Sequence, residues 1–277
     1  MNSRDVLKQA SEELRASGVP DPEFDSAWML SEMTGIPPLN LRAGMNIELT
    51  EDMESGFHGM VSRRKEREPL QYLLGSAVFC GTEFLIGQGV LIPRPETELL
   101  AEWTLERLRD RPEAKVLDLC CGSGCLGLTI ARRIKGAEVT LTDLSPDALR
   151  WAERNRDRLG LRCEILCGDL FSTVRERKFD CVVSNPPYIP TAECGSLQPE
   201  VLREPEMALD GGADGLDFYR RIAAEVPGFL NPGGFVMMEV GSGQAESVSK
   251  LMDAAGAGKT EIRNDYAGIP RMVLGEY

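Results

Sequence analysis

The first seventy residues and the rest of the chain are patterned differently. Val6, Leu7, Ala10 and Leu14 recur at helical spacing, and Gly18 followed by Pro20 ends the run. Phe24, Ala27, Trp28, Leu30 and Met33 predict a second helix that stops at Gly35 before Pro37. A third helix is predicted over about 52–67. No strand pattern lies between them, so residues 1–70 are expected to form a small helical domain. Residues 76–93 (SAVFCGTEFLIGQGVLIP) combine alternation with glycines and predict a β-hairpin, which makes 71–95 a β-hairpin connector.

From 96 to 277 the pattern changes. A helix is predicted from Glu96 to about Arg109, then the apolar run KVLDLC (115–120), a glycine-rich turn, and a helix to about Ile134. EVTLTD (138–143), CEILCGD (163–169), FDCVVSN (179–185), GGFVMMEV (233–240), KTEIRND (259–265) and RMVLGEY (271–277) read as further strands. Helices are predicted from Pro146, over about 217–229 and over about 243–255. Strands that alternate with helices imply an α/β fold, a mainly parallel sheet covered on both faces.

Charge narrows the function classes. Lys+Arg is 31 and Asp+Glu is 44, a net charge of -13, which disfavours a protein that grips nucleic acid by backbone charge alone. The helical part carries 8 basic and 13 acidic residues, so the acidity is spread over both parts. Its one basic run, Arg63, Arg64, Lys65 and Arg67, reads as a solvated helix face. No apolar run approaches the ~18–20 residues that span a bilayer, and the N-terminus lacks a signal-peptide pattern, so a cytoplasmic location is expected. The eight cysteines form no C-x-x-C and the only histidine is His58, which leaves a zinc site unsupported and the thiols expected to be reduced. A single histidine also weakens any mechanism built on a histidine base.

The chemistry gathers at strand ends. Gly122, Gly124 and Gly127 form G-x-G-x-x-G between a strand and a helix, where backbone can approach a ligand and a helix N-terminus offers free N–H groups. Alone, this suits a dinucleotide or S-adenosylmethionine. Asp143 ends the next strand, placed to accept ribose hydroxyls. Asp169 and Leu170 end the third, where a carboxylate can accept from an adenine amino group and an apolar side chain can cover the ring. Helix-capping aspartates on a tight turn are the bland alternative.

The fourth strand ends in Ser184-Asn185-Pro186-Pro187-Tyr188. The prolines have no N–H, Asn185 offers a side-chain carbonyl, and Tyr188 offers an aromatic wall. Such a pocket suits a planar NH₂ group whose nitrogen faces a methyl donor, with no prior general base. Asn185, Pro186, Pro187 and Tyr188 are therefore the candidate catalytic and substrate-binding residues. Asp118, Cys120, Cys121, Gly122, Ser123, Gly124, Asp143, Asp169, Leu170 and Asn185 are the candidates for holding S-adenosylmethionine, with Cys121 to Gly124 at its methionine end.

With these motifs the chain resembles the protein-(glutamine-N5) methyltransferases of peptide-chain release factors, the PrmC/HemK family. Three further stretches carry the resemblance: Glu68 to Gly75, Phe84 through the run Val90 to Glu98, and Glu204 to Leu216. It implies a Rossmann-like methyltransferase sheet of seven strands with the last antiparallel, a small N-terminal all-helical domain that helps hold the release factor, and a Gly-Gly-Gln glutamine as substrate. Two departures stand out: the family's loop is usually richer in glycine, whereas Cys120 and Cys121 occupy its first positions here, and Leu170 stands where family members often place Trp. A DNA or RNA amino-methyltransferase shares N-P-P-Y but would want a basic groove. An NAD oxidoreductase leaves N-P-P-Y unexplained, and a non-catalytic binding module leaves Asp143, Asn185 and Tyr188 without a role. The acidic loop from Glu204 to Asp217, expected near the entrance, favours a protein loop over nucleic acid as substrate. Release factors are thus the expected partners, with no direct nucleic-acid or membrane binding.

Overall fold

The structure, a computed structural model, describes residues 2–277. The chain forms two compact units, one of residues up to Ser76 with Gln198–Arg203, the other of Ala77–Leu197 with Glu204–Tyr277.

The first unit is helical: α1 (Ser3–Ala16), α2 (Pro22–Thr34), α3 (Pro38–Arg42), α4 (Glu51–Lys65) and α5 (Leu70–Leu74). Asn2 caps α1 by accepting the Asp5 N–H at 3.0 Å, and Thr50 caps α4. Val6, Leu14, Met29, Leu30 and Phe57 are fully buried and form its core. Phe24 and Trp28, two of the residues whose spacing predicted α2, lie outside, 44% and 37% exposed, with their rings 5.8 Å apart. Met29 and Leu30 take the core, and Asp25 turns inward to meet Arg64.

The basic run is a solvated face only in part: Arg63 and Lys65 are exposed, whereas Arg64 turns inward. Arg64 is 4% exposed and its guanidinium bridges Asp25 at 2.7 Å and Glu200 at 2.8 Å. Arg67 forks onto Glu200 at 2.7 and 2.6 Å, Arg63 pairs with Glu68, and Lys65 pairs with Glu13. Burying a guanidinium without a carboxylate would cost several kcal/mol, which is why the packed α4 takes carboxylates from elsewhere in the unit.

The connector also differs from expectation. Pro69 presets the entry to α5 and Gly75, at φ 73°, ends it, so residues 70–74 are helical. The hairpin itself is short: β1 (Ser76–Phe79) and β2 (Thr82–Leu85) joined by Cys80 and Gly81, both at positive φ, as a two-residue hairpin turn requires. Residues 86–94 belong to no strand or helix.

The second unit continues with α6 (Pro95–Arg107), β3 (Lys115–Leu119), α7 (Cys125–Arg133), β4 (Glu138–Asp143), α8 (Pro146–Leu159), β5 (Glu164–Cys167), β6 (Phe179–Ser184), α9 (Thr191–Cys194), α10 (Asp217–Glu225), β7 (Leu230–Glu239), α11 (Ala245–Ala254), β8 (Lys259–Asn264) and β9 (Pro270–Glu276). Its seven strands lie in the order β5-β4-β3-β6-β7-β9-β8, and only β9 runs antiparallel to its neighbours. This is the α/β sheet with an antiparallel last strand that the resemblance implied. Alternate residues serve two cores: Val116, Leu141, Val183 and Met237 on one, Leu117, Leu119, Val182 and Met238 on the other. Among the described residues no helix is long and apolar enough to cross a membrane.

One prediction concerns Glu200. Burial pushes its carboxyl up, but the hydrogen bonds from Arg67 and Arg64 prevail and hold it at about 2. A depressed carboxyl contributes stability above its unfolded pKa of about 4.3 and loses it as pH falls toward 2. Glu200→Gln should therefore destabilise the helical unit by about 1–3 kcal/mol at pH 7. Amide exchange in α4 should show that deficit shrinking as pH drops through this window. A deficit independent of pH would mean that the charge on Glu200 is not what holds the unit.

Candidate active site

Strand order reverses between β3 and β6, and a cavity opens at the carboxyl ends of these strands and of β4 and β5. β3 delivers Asp118, Cys120, Cys121, Gly122 and Ser123 to it; β4 delivers Asp143 and Leu144; β5 delivers Gly168, Asp169 and Leu170; β6 delivers Asn185 and Pro187. The hydroxyl of Ser184 donates to the Leu119 carbonyl at 2.8 Å and ties the ends of β3 and β6 together.

The glycine-rich turn is built around two carboxylates. Asp118 is 1% exposed and accepts the Gly127 N–H at 2.8 Å. A Cβ on Gly127 would sit 2.8 Å from that carboxylate oxygen and 3.1 Å from Leu141, so only glycine lets α7 start this close to β3. Asp143 accepts the Gly122 N–H and the Ser145 N–H, each at 2.8 Å. A carboxylate has about four lone-pair sites, so both bonds leave acceptor capacity facing the cavity. Burial raises both acids; Asp118 reaches about 8, with the charge of Asp143 adding to the effect and the Gly127 bond opposing it.

Cys120 has φ 57°, a conformation that costs a non-glycine residue roughly 1–2 kcal/mol. The position is therefore a glycine position filled by cysteine. Gly122 and Gly124 also take positive φ, whereas Cys121 does not. Leu170, at φ 46°, is 4% exposed and lines the cavity beside Asp169. Asp169 is itself engaged: Arg221 donates to it at 2.6 Å.

Asn185 rests on a polar network that sequence reading missed. Its Nδ2 donates to Thr97 Oγ1 at 3.1 Å, and Thr97 Oγ1 donates to Glu239 Oε2 at 2.6 Å. Glu239, at the end of β7, is 2% exposed. Tyr188 does not line the cavity; it packs into the core beside α10, and its hydroxyl lies 3.5 Å from Glu239 Oε1. Pro186 is buried and is also absent from the lining, while Pro187 is present. Gln244 pins the segment by donating to the Tyr188 carbonyl at 2.9 Å.

The cavity mouth holds a second surprise. Glu204 is 6% exposed, accepting the Ile92 N–H at 2.9 Å and the Arg94 guanidinium at 2.5 Å. Asp210 caps the Gly212 N–H and accepts from Thr191, while Asp214 and Asp217 both pair with Arg220. The loop from Glu204 to Asp217 therefore presents much less free negative charge than its composition implied. The substrate argument drawn from its acidity loses weight. Thr97 and Glu204 lie in stretches that carry the resemblance, but nothing local gives them or Glu239 these roles, because each acquires its partner from a distant part of the chain.

Comparison with known proteins identifies relatives. Residues 5–75 match the PrmC N-terminal domain and residues 95–214 match the methyltransferase small domain. A release factor glutamine methyltransferase of Geobacter sulfurreducens is 42% identical over 98% of this chain and 95% of its own. One from Moorella thermoacetica is 39% identical over 99% of this chain and 98% of its own. Among solved structures, a T. thermophilus 16S rRNA methyltransferase in complex with AdoMet and guanosine shares the fold at a TM-score of 0.53 and 23% identity, over 73% of this chain and 49% of that one.

The packing of Gly127 against Asp118 generates a test. Gly127→Ala should lower unfolding stability by about 1–3 kcal/mol in urea titrations, the cost of overpacking a filled site. A variant as stable as the parent would show that α7 is free to move away from β3.

Proposed function

Because the chain belongs to the family of release factor glutamine methyltransferases, we propose that it transfers a methyl group from S-adenosylmethionine to the side-chain amide nitrogen of the glutamine in the Gly-Gly-Gln motif of peptide-chain release factors. The observation that carries the reading is the shared cavity. Asn185, an acceptor for an NH₂ group, lines the same space as the carboxylates Asp118 and Asp143 and the glycine-rich turn.

The residues fit the cofactor. Asp118 is a desolvated carboxyl with a single hydrogen bond, from Gly127, and lies at a helix N-terminus, a position suited to the ammonium of a methionine moiety. Asp143 keeps free lone pairs for ribose hydroxyls. Asp169 and Leu170 are left for the adenine, and Leu144, 53% exposed, adds an apolar wall on the same side. Cys120, Cys121, Gly122, Ser123 and Gly124 form the turn between them. When bound, S-adenosylmethionine supplies a methyl group on a positively charged sulfur. The chain's own task is orientation. The Asn185 side-chain carbonyl and a backbone carbonyl of the Pro186-Pro187 pair accept the two hydrogens of the target amide, and Tyr188 holds that segment in place. Accepting those hydrogens favours the positive charge that develops on nitrogen, and fixing the group shortens the search for a reactive geometry.

The partner follows from the same reading. The helical unit is assigned the body of the release factor, and direct nucleic-acid binding is not part of the function. The cations of its basic run are all paired with carboxylates, so they offer no stripe for phosphates. A translation factor as substrate also places the reaction in the cytoplasm.

The deciding experiment is mass spectrometry of a purified release factor after incubation with this protein and S-adenosylmethionine. The methyl should map to the Gly-Gly-Gln glutamine. Robust labelling of an oligonucleotide, with none of the release factor, would instead favour an amino-methyltransferase of DNA or RNA. Asn185→Ala should lower kcat by about 100-fold or more, or upwards of ~2.7 kcal/mol, while S-adenosylhomocysteine affinity changes little.

Asp118 yields a proton-linked prediction. Its carboxyl titrates near 8 in the free protein, so it is largely protonated at pH 7. An ammonium beside it favours the ionised form, so cofactor binding expels a proton and tightens as pH rises toward 8. Calorimetric titration with S-adenosylhomocysteine in two buffers of different ionisation enthalpy should show a release of up to one proton at pH 7, lost in Asp118→Asn. Buffer-independent heats would remove Asp118 from the ammonium site.

A further inference from the structure

The amide of Asn185 can lie either way round, and only one way suits an NH₂ substrate. With its carbonyl toward the cavity, it accepts. With its own NH₂ toward the cavity, two donors would face each other. What chooses between them lies beneath the floor.

Thr97 Oγ1 carries a single proton. It gives that proton to Glu239 Oε2 at 2.6 Å and receives Asn185 Nδ2 at 3.1 Å. An ionised carboxylate has no proton to give. Thr97 must therefore donate downward, and what it has left for Asn185 is a lone pair. That lone pair selects the NH₂ of Asn185, and the carbonyl is turned toward the cavity.

We propose that Glu239, acting through the Thr97 hydroxyl, is a positioning residue that fixes the polarity of the Asn185 amide and so makes the pocket selective for a donor NH₂. The inference rests on the amide-methylation reading for its substrate, but the polarity itself is a property of the free protein.

The surroundings of Glu239 set when this works. Burial pushes its carboxyl up to about 7 and Glu96 of α6 adds to that, while the hydrogen bond from Thr97, the charge of Arg271 on β9 and the nearby Asn185 amide oppose it. The Tyr188 hydroxyl faces Oε1 at 3.5 Å, and Tyr219 of α10 donates to the Glu239 main-chain carbonyl at 2.9 Å. Once protonated, Glu239 can donate to Thr97. The Thr97 proton is then free to point at Asn185, and the amide is released to turn its NH₂ into the cavity.

The test uses the full chain, with S-adenosylhomocysteine affinity as the check on folding. Thr97→Val should lower kcat by about 30-fold or more with that affinity kept within about twofold, and Thr97→Ser should recover most of the loss. Wild-type kcat should fall below about pH 7, and Glu239→Gln, which has no titrating group, should lose that acid limb. The second readout needs no methyl transfer. The side-chain ¹H–¹⁵N pair of Asn185, identified by its absence in Asn185→Ala, should shift with a midpoint near pH 7 in the free protein and stay constant in Glu239→Gln. A Thr97→Val enzyme within about threefold of wild type, or an Asn185 resonance that titrates equally in Glu239→Gln, would overturn the proposal. If wild-type protein leaves the release factor unlabelled while the resonance titrates as described, the reaction assigned above fails and the polarity assignment stands.

Discussion

Strands β3 and β6 are neighbours in the sheet, yet the chain leaves them in opposite directions. After β3 it winds outward through β4 and β5; after β6 it winds the other way through β7. The loops that follow β3 and β6 must therefore part, and the gap between them is the cavity. Every group assigned a chemical role stands on this reversal. The Ser184–Leu119 hydrogen bond holds its two edges in register, and Leu119 pairs with Thr142 on one side and Ser184 on the other. The loops can then vary in sequence while the ends that carry Asp118, Asp143 and Asn185 stay fixed by the ladder.

The gap also creates the site's electrostatics. Asp118, Asp143 and Glu239 are all drawn upward by loss of water, and they differ in what opposes it. Asp143 has two backbone N–H donors, Asp118 has one, and Glu239 has side chains. A buried acid with too few donors is a poor structural element but a good receptor for a cation or a directed hydrogen bond. Desolvation thus does the same thing at each strand end, and the number of local donors decides whether the acid waits for a ligand or orders a neighbour.

How far the sequence carried this picture depends on chain distance. Asp143, Asp169 and Asn185 were legible because each follows or closes an apolar run, and Asp118 because it precedes the glycine-rich turn; a parallel sheet brings the ends of such runs to one edge. The glycines were legible because a strand-to-helix turn needs them. Thr97 and Glu239 are separated by 142 residues and their pairing has no local signature. The same holds for Glu204, whose acidic neighbourhood suggested a surface loop although the residue is buried against Ile92 and Arg94. In the helical unit, a basic run looked solvated because its carboxylates come from α2 and from a segment that follows α9. Tyr188 is packed against the core that holds Tyr219, since a motif names a residue without saying which neighbours its ring will meet.

The cysteines in the turn stand in the same desolvated surroundings as the acids. A thiolate is a soft nucleophile, and one held beside an electrophilic methyl group would compete with a weakly nucleophilic amide. Cys120, Cys121 and Cys125 stand in that turn, and Cys120 even accepts a left-handed backbone to do so. The same desolvation that raises Asp118 raises these thiols: burial dominates for all three, and the charge of Asp143 adds a smaller push at Cys120 and Cys121. Cys125 is pushed up to about 12, and the other two are also held well above the ordinary thiol range. They remain neutral at any physiological pH and act as small apolar wall atoms. Cysteine is tolerated where glycine would be expected because the burial that suits the site's acids to a cationic ligand also keeps the thiols protonated.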